Sequence, residues 1–364
     1  MGHVELRNVW KIYDKSFEAV KGISVSFSDG EFVSLLGPSG CGKTSTLRMV
    51  AGLEEISRGE IFIDSIKVND LEPGDRNVAM AFEAYALYPH LTVYENIAYP
   101  LRIRKIADSE IKTRVNEMCE SLGITKYVNE FPSSLSGGVQ QSTGLARALV
   151  RPASLYLLDE VLSHLDAAER TMLRAEIRRV QKLMNLTALF VTHDQLEAMA
   201  MSDRIIVMND GIIHQIGTPE EIYDSPEDLF VAGFVGEPPM NTLRVKRITE
   251  DGKEYLQIGS SKLTSAELGL KAFPQKSEFI IAMRPKYVGL LDSSKQKGVE
   301  GSVHTFENLG DYTQAAIELE SGDIVFMIGD VDLRLQLDEK VILGFVPEKV
   351  LFYDIETTKQ IKDI

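Results

Sequence analysis

The fold is decided by the stretch Gly37-Pro38-Ser39-Gly40-Cys41-Gly42-Lys43-Thr44, which fills every specified position of the pattern G-x-x-x-x-G-K-[ST]. An apolar run at 32–36 precedes it, and a segment with helical spacing at 45–51 follows. A strand joined to a helix by such a loop turns backbone N–H groups and the positive helix end towards phosphate. Lys43 would reach the β- and γ-phosphates, and the Thr44 hydroxyl would ligate Mg²⁺. We therefore predict an ATP or GTP site formed by Gly37, Pro38, Ser39, Gly40, Cys41, Gly42, Lys43, Thr44 and Ser45.

Length and composition indicate how many domains the chain can form and which partners it can bind. The chain has 364 residues, enough for two or three domains with their own cores, and 44% of them are apolar. Asp and Glu outnumber Lys and Arg by 54 to 39, which gives a net charge of −15, and no long basic run occurs. Because nucleic-acid binding relies on clustered cations, we expect no nucleic acid partner.

Cysteine usage and hydropathy indicate the compartment. Cys41 and Cys119 are too few for a disulfide framework, which fits a reducing cytoplasm. No apolar run approaches the roughly 18 residues that indicate a membrane-spanning helix, and the N-terminus lacks a signal-peptide core. We expect a chain that is soluble by itself and can still dock on a membrane protein.

Strand and helix patterns alternate over residues 1–235. Apolar runs predict buried parallel strands at 32–36, 77–82, 154–158, 188–192 and 204–208. Residues 167–184 predict an amphipathic helix whose apolar side carries Met172, Leu173, Ile177, Val180 and Leu183. A second helical stripe, within a mainly helical insertion at about 87–150, consists of Ile111, Val115, Met118 and Leu122.

The pattern changes after Pro238-Pro239. Short β-like segments separated by Gly, Asp and Asn turns lie near 278–283, 299–304, 312–319, 323–328 and 341–346. We therefore predict a second, all-β domain of small-barrel type, with boundaries at 1–236 and 237–364.

Two carboxylates follow an apolar strand about 115 residues after the phosphate loop. Asp159 suits the shell of Mg²⁺, and Glu160 suits orienting or deprotonating the attacking water. By the same logic His193, after the predicted strand at 188–192, is expected to contact the γ-phosphate. Taken alone, such residues are often structural, but their position after a phosphate loop favours catalytic roles for Glu160 and His193. Lys43, within the loop itself, is the third predicted catalytic residue.

The stretch Leu135-Ser136-Gly137-Gly138 makes the sequence resemble the ATP-binding cassette (ABC) family, whose subunits place such a signature at the head of a helix. The run Ser163-His164-Leu165-Asp166 is similar to the family's dimer-contact loop, and residues 84–96 are similar to the segment that faces the membrane subunits. Tyr13 stands where the family stacks an aromatic ring on adenine, with local packing at a strand end as the alternative. The resemblance covers residues 4–236.

The resemblance implies an α/β fold, a P-loop NTPase core of ABC type with a helical insertion. It also implies that two subunits close head to tail around two ATP molecules with Mg²⁺. Each phosphate loop would face Ser136, Gly137 and Gly138 of the other subunit, whose donors and helix dipole would point at the γ-phosphate. ATP would favour the closed dimer, and hydrolysis would reopen it while permease subunits follow the motion.

Within the family, the sequence is most similar to the ATPases of carbohydrate importers of the maltose and glycerol-phosphate type. The similar segments are 216–223, 230–236, Met240-Asn241, 281–285 and 307–310. The resemblance implies a C-terminal regulatory domain of oligonucleotide-binding-type barrel units, a name that says nothing about nucleic acid here. It further implies a peripheral subunit on the cytoplasmic face of a bacterial or archaeal inner membrane. Its partners would be permease subunits and an extracytoplasmic binding protein for a sugar, polyol or glycerol-like solute.

Three departures from the family pattern concern the site. Glu83 stands where relatives carry Gln in the Mg²⁺-sensing loop, and its charge attracts Mg²⁺ but repels phosphate. Val139 and Ser142 stand where the signature helix usually has Gln and Arg, and Val161 replaces the Pro after the catalytic Glu. These changes suggest a heterodimer with a second ATPase subunit. A homodimer that has drifted neutrally is the alternative.

A function of a different class also fits the altered residues, namely a nucleotide-gated regulatory or scaffold protein with impaired hydrolysis. The presence of Glu160 and His193 argues against it. A soluble DNA-repair ATPase of the same family fits less well, because of the segment at 84–96 and the acidic balance.

Overall fold

The computed structural model describes residues 2–14, 16–270, 272–292 and 297–362. The chain divides into two compact units, Met1–Pro219 and Glu220–Ile364. The domain boundary after residue 236 stays a prediction, and residues 220–236 lie in the second unit. None of the helices in the described ranges is both long and apolar enough to cross a membrane.

The first unit is built from strands and helices that alternate along most of its length. Its strands are β1 (Val4–Tyr13), β2 (Phe17–Phe27), β3 (Phe32–Leu36), β4 (Arg58–Ile63), β5 (Ile66–Lys67), β6 (Val78–Ala81), β7 (Leu155–Asp159), β8 (Ala188–Thr192), β9 (Arg204–Asn209) and β10 (Ile212–Gly217). Its helices are α1 (Lys43–Ala51), α2 (Val93–Ile103), α3 (Asp108–Ser121), α4 (Gly137–Leu149), α5 (Ala167–Met184) and α6 (Gln195–Met201).

The central sheet has the strand order β10-β9-β3-β8-β7-β6 and is parallel except for β10. All five predicted parallel strands are confirmed, each within one residue of its expected bounds. Every residue of β3, β7 and β8 is buried, as expected for parallel strands covered on both faces. The carboxyl ends of these strands therefore meet at one edge of the sheet.

A second sheet, with the order β2-β1-β4-β5, is antiparallel and is absent from the sequence prediction. Its first strand buries Val4, Leu6 and Val9. The pairing of β1 with β2 shifts between Leu6 and Val9, where Asn8 has φ +48°. Such a bulge breaks the two-residue alternation, so the sequence pattern hides the strand.

The helical insertion is confirmed, since α2, α3 and α4 lie between β6 and β7. The stripe that we predicted on α3 is confirmed as well, because Ile111, Val115, Met118 and Leu122 are all buried. Helix α2 begins at a reciprocal cap. The Glu95 N–H donates to the Thr92 hydroxyl (3.2 Å) and the Thr92 N–H donates to the Glu95 carboxylate (2.9 Å).

The stripe that we predicted on α5 is partly wrong. Leu173, Ile177 and Val180 are buried, whereas Met172 and Leu183 are each 71% exposed. At about 100° per residue, Met172 and Leu183 lie roughly 80–100° around the helix from Leu173, on the same side. The apolar face is therefore narrower than the sequence suggested.

The second unit is all-β beyond residue 236, as predicted, and two short helices that the sequence analysis did not predict precede its strands. Its elements are α7 (Pro219–Asp224), α8 (Leu229–Phe234), β11 (Asn241–Glu250), β12 (Lys253–Ile258), β13 (Ser261–Leu263), β14 (Glu278–Met283), β15 (Val288–Leu290), β16 (Val299–Asn308), β17 (Thr313–Leu319), β18 (Ile324–Gly329), β19 (Lys340–Phe345) and β20 (Leu351–Tyr353). Two antiparallel sheets, ordered β13-β12-β11-β14-β20 and β15-β19-β16-β17-β18, share one apolar core in a barrel-like arrangement.

Arg284 ties the two short helices to this barrel. Arg284 is 1% exposed, and its guanidinium donates to the carbonyl oxygens of Tyr223 (2.7 and 3.1 Å), Ala232 (3.2 Å) and Val235. A buried cation must be satisfied by hydrogen bonds, so these carbonyls fix residues 223–235 on the end of β14. This explains why the segment lies in the second unit.

Candidate functional site

Four neighbouring strands bring the predicted site residues to one edge of the central sheet. The phosphate loop follows β3, His193 follows β8, Glu160 follows β7 and Glu83 lies two residues beyond β6. The order β3-β8-β7-β6 makes these carboxyl ends adjacent. The separate motifs of the sequence thus form one continuous edge.

The phosphate loop wraps around the Lys43 ammonium group. Lys43 is 4% exposed, and its Nζ donates to the carbonyl oxygens of Gly37 (2.8 Å) and Pro38 (2.9 Å). Gly42 caps α1 with φ +103°, and a Cβ there would collide with the Ala19 carbonyl oxygen. This geometry suits phosphate binding by the loop and the N-terminus of α1, and that role stays a prediction.

Tyr13 lies beside the first turn of α1, which contains Thr44 and Ser45. Its hydroxyl is 3.2 Å from the Ser45 hydroxyl and donates to the Glu54 carboxylate at 3.3 Å. The Lys11 ammonium lies 4.7 Å from the centre of the Tyr13 ring. Tyr13 is thus next to the phosphate loop, and its stacking on adenine stays a prediction.

Asp159 sits in a negatively charged part of the edge. Its side chain is buried, and burial raises its pKa to about 6. The carboxylates of Glu160 and Glu83 add to this rise, while the cations of Arg48 and Lys43 oppose it. A divalent cation bound here would relieve the repulsion, so hard oxygen donors at this place fit Mg²⁺.

Glu83 contacts a residue that the sequence did not associate with it. Its carboxylate lies 3.4 Å from Nε2 of His164, in the predicted dimer loop, and both side chains are more than half exposed. No local signal joins these residues, which are far apart in the chain. A metal-binding role for Glu83 stays a proposal.

Glu160 and His193 form a direct pair, with 3.1 Å between Oε2 and Nδ1. The backbone of Glu160 is left-handed, with φ +46°. Its N–H donates to the Val191 carbonyl (3.0 Å), and its own carbonyl accepts from the N–H (3.1 Å) and hydroxyl (2.9 Å) of Ser163. The neighbouring strand and loop thus hold Glu160 in a strained backbone conformation, a feature typical of active sites.

The sequence analysis did not predict a polar network that lies next to His193. The Asp194 carboxylate caps α6 by accepting from the N–H groups of Leu196 (2.7 Å) and Glu197 (3.2 Å). Arg170 donates to Asp194 (3.0 Å), and the Thr192 hydroxyl donates to the buried Glu197 (2.6 Å). The spacing of Asp194 and Glu197 is a helix-start signal that was open to recognition.

The signature begins helix α4, as predicted. Ser136 is the cap residue, and its hydroxyl accepts from the Val139 N–H at 3.5 Å. A Cβ built on Gly137 would lie 2.8 Å from the Tyr85 hydroxyl, and one built on Gly138 would lie 2.6 Å from a Glu169 carboxylate oxygen. Asp166 caps α5 by accepting from the Glu169 N–H (2.8 Å).

One buried side chain holds residues 88–96, the larger part of the segment at 84–96. Asn96 is fully buried, and its amide donates to the carbonyls of Tyr88 (3.1 Å), Leu91 (3.0 Å) and Thr92 (3.0 Å). Its amide oxygen accepts from the Tyr88 N–H (2.8 Å). The ring of Tyr88 packs on Tyr99 with 4.7 Å between centroids, and both rings remain partly exposed.

Replacing Asp159 with Asn is expected to stabilise the metal-free protein at about pH 7.5 by roughly 1–3 kcal/mol. The folded-state pKa of Asp159, about 6, lies above the ordinary 3.8, so the native state binds the proton more tightly. Stability is therefore lost as the pH rises from about 4 through 6, and the Asn variant escapes this loss. Denaturant unfolding in a chelating buffer measures the effect.

The same comparison at about pH 4 should show a much smaller difference, because there the unfolded carboxyl, with its ordinary pKa of 3.8, is still partly protonated. Asp70→Asn, at an exposed position, is the matched control and should change stability little at either pH. An equal gain for Asp159→Asn at both pH values would contradict the assignment.

Known proteins match both parts of the chain. A family model described as ABC transporter matches residues 20–163, and one described as TOBE domain matches residues 281–352. The chain is 41% identical to the oligosaccharides import ATP-binding protein MsmX of Bacillus subtilis, over 100% of both chains. It is 43% identical to the trehalose/maltose import ATP-binding protein MalK of Thermococcus litoralis, over 99% of this chain and 100% of the relative. Among solved structures, the chain is similar to the dimeric post-hydrolysis state of the ATP-binding cassette MJ0796 bound to ADP and Pi. The TM-score is 0.54 and the sequence identity is 30%, and the match covers 59% of this chain and 98% of that chain.

Proposed function

The chain belongs to the ABC transporter family as an ATPase subunit, and on that premise we propose that it drives import of a sugar, polyol or glycerol-like solute. The observation that carries the chemistry is the Glu160–His193 pair, 3.1 Å apart, at the sheet edge that also holds the phosphate loop. The full-length similarity to import proteins for oligosaccharides and for trehalose and maltose supports the solute class.

The residues divide the work of hydrolysis. The loop N–H groups, the N-terminus of α1 and Lys43 would bind the phosphates. Glu160 would accept the proton of the attacking water, and His193 would orient Glu160 and contact the γ-phosphate. Thr44 and Asp159 would hold Mg²⁺, with Glu83 as a third ligand, and the bound ion neutralises phosphate charge.

The second subunit of the dimer completes the site. Ser136, Gly137 and Gly138 would face the partner's nucleotide across a head-to-tail interface, with Ser163, His164 and Asp166 in the contact loop. We propose that this partner is a related chain and not a second copy. The altered signature positions Val139 and Ser142 support this asymmetry, because Glu169 lies beside Gly138 and no cation among the described residues pairs with it. The competent site would then combine this chain's phosphate loop with the partner's signature.

The remaining partners follow from the importer architecture. The segment at 84–96 would contact permease subunits at the cytoplasmic face of the membrane. A solute-binding protein on the other side would act through the complex. The second unit supplies a surface for regulation, and the acidic balance of the chain gives no basis for nucleic acid binding.

Purification of the tagged chain from its native membrane tests this arrangement. We expect permease subunits and a second ATPase chain to co-purify, and the complex to hydrolyse ATP much faster than the isolated chain. The reason is that the isolated chain offers only its own altered signature. Robust cooperative hydrolysis by the pure chain would overturn the pairing with a related subunit, and a complex without permease subunits would overturn the importer.

A further inference from the structure

A cavity of about 200 Å³ lies directly behind the signature, between the start of α4 and the first turns of α5. Gly138 and Ser142 of α4 form one wall, and Glu169 and Leu173 of α5 form the other. The exposed Met172 side chain lies at its rim. The cavity is therefore reachable from solvent and touches the signature backbone.

Most of the cavity wall is apolar. Val139, Leu165 and Leu173 line it, and the two leucines are each only 6% exposed. Such walls suit an aliphatic group and disfavour an isolated ion.

Two polar groups face these walls without partners. The Glu169 carboxylate is half-buried beside Gly138, and no cation lies within ion-pairing distance of it in the described part of the chain. Nor does the Ser142 hydroxyl make a hydrogen bond to any described residue. Glu176, also in the lining, is already paired with Arg179 at 2.9 Å. The site thus offers one free negative charge and one free hydroxyl next to aliphatic surface.

We propose that this cavity binds a small organic cation, a guanidinium or ammonium group on a short aliphatic stem, and that its binding stimulates ATP hydrolysis. The cation pairs with Glu169 and donates to the Ser142 hydroxyl, while the stem packs on Leu165 and Leu173. Binding neutralises the charge beside Gly138, which otherwise repels the phosphates that the signature faces. The stimulation rests on the proposed head-to-tail role of the signature, whereas the binding does not.

Titration of the isolated chain with n-propylguanidinium, followed by calorimetry or side-chain NMR, tests the binding. We expect saturable binding that Glu169→Gln weakens about tenfold or more, because a charge-assisted contact is lost. Ser142→Leu should abolish binding by filling the cavity, and its unfolding midpoint checks that it folds. The neutral analogue n-propylurea should bind at least about tenfold more weakly than the cation.

The same ligand added to the purified importer complex tests the link to hydrolysis. We expect at least about a twofold rise in the rate for the native complex and none for the Glu169→Gln complex. Equal binding by native, Glu169→Gln and Ser142→Leu chains, or no saturation, would overturn the site. Saturable binding without stimulation would overturn the link to hydrolysis and would count against the proposed role of the signature, not against the cavity.

Discussion

Replacing Glu160 with Gln is expected to lower ATP hydrolysis by the purified importer complex about 100- to 1,000-fold, with ATP binding retained. The amide keeps the size of the side chain and its contact with His193, 3.1 Å away, but it cannot take a proton from water. The phosphate loop is untouched, so a fluorescent ATP analogue should bind with unchanged affinity. Phosphate release measures hydrolysis, and the complex should retain ATP in its closed form.

Two controls separate chemistry from folding. Glu160→Gly removes the carboxylate and relieves the left-handed backbone, so it should be inactive yet more stable by about 1 kcal/mol. Glu117→Gln changes an exposed carboxylate on α3 and should leave hydrolysis unchanged. If Glu160→Gln stops hydrolysis while solute uptake continues, the alternative of a nucleotide-gated scaffold is favoured. If hydrolysis itself persists, Glu160 is not the base.

The parts of the site that the sequence revealed are those whose geometry is local. The phosphate loop is one turn between adjacent elements, so its spacing specifies its shape. Asp159, Glu160 and His193 each end an apolar run, and parallel strands bring their carboxyl ends to one edge. Sequence alone left the strand order open, and the order places β8 between the phosphate loop and the two carboxylates.

What the sequence missed depends on contacts between distant segments. The 3.4 Å approach of Glu83 to His164 arises because β6 pairs with β7, so the loops that follow these two strands meet. The position of Glu169 beside Gly138 arises only when the helical insertion packs on the core. Arg284 lies in the segment 281–285 that resembles the importer ATPases, but its partners are backbone carbonyls, which carry no side-chain signal. For the same reason the place of residues 220–236 in the second unit was not apparent.

The double substitution Val139→Gln and Ser142→Arg is expected to raise ATP hydrolysis by the isolated chain about tenfold. Ser142 lines the cavity of about 200 Å³ behind the signature, so an arginine has room to reach the unpaired Glu169 carboxylate. The new ion pair would remove the negative field beside Gly138, and the Val139→Gln change would restore a polar side chain in the first turn of α4. Both changes act on the half of the site that a second copy of this chain would supply.

Ser142→Leu with Val139→Gln is the matched control, because it fills the same cavity without a charge. If the arginine variant hydrolyses ATP faster and the leucine variant does not, the signature lacked a cation and did not lack packing. Adding Glu160→Gln to the activated chain should abolish the gain, since hydrolysis still needs this chain's own base. If the arginine variant hydrolyses ATP as slowly as the native chain, the altered signature is not the cause of the slow hydrolysis. It then gives no physical reason to expect a partner subunit whose signature is intact.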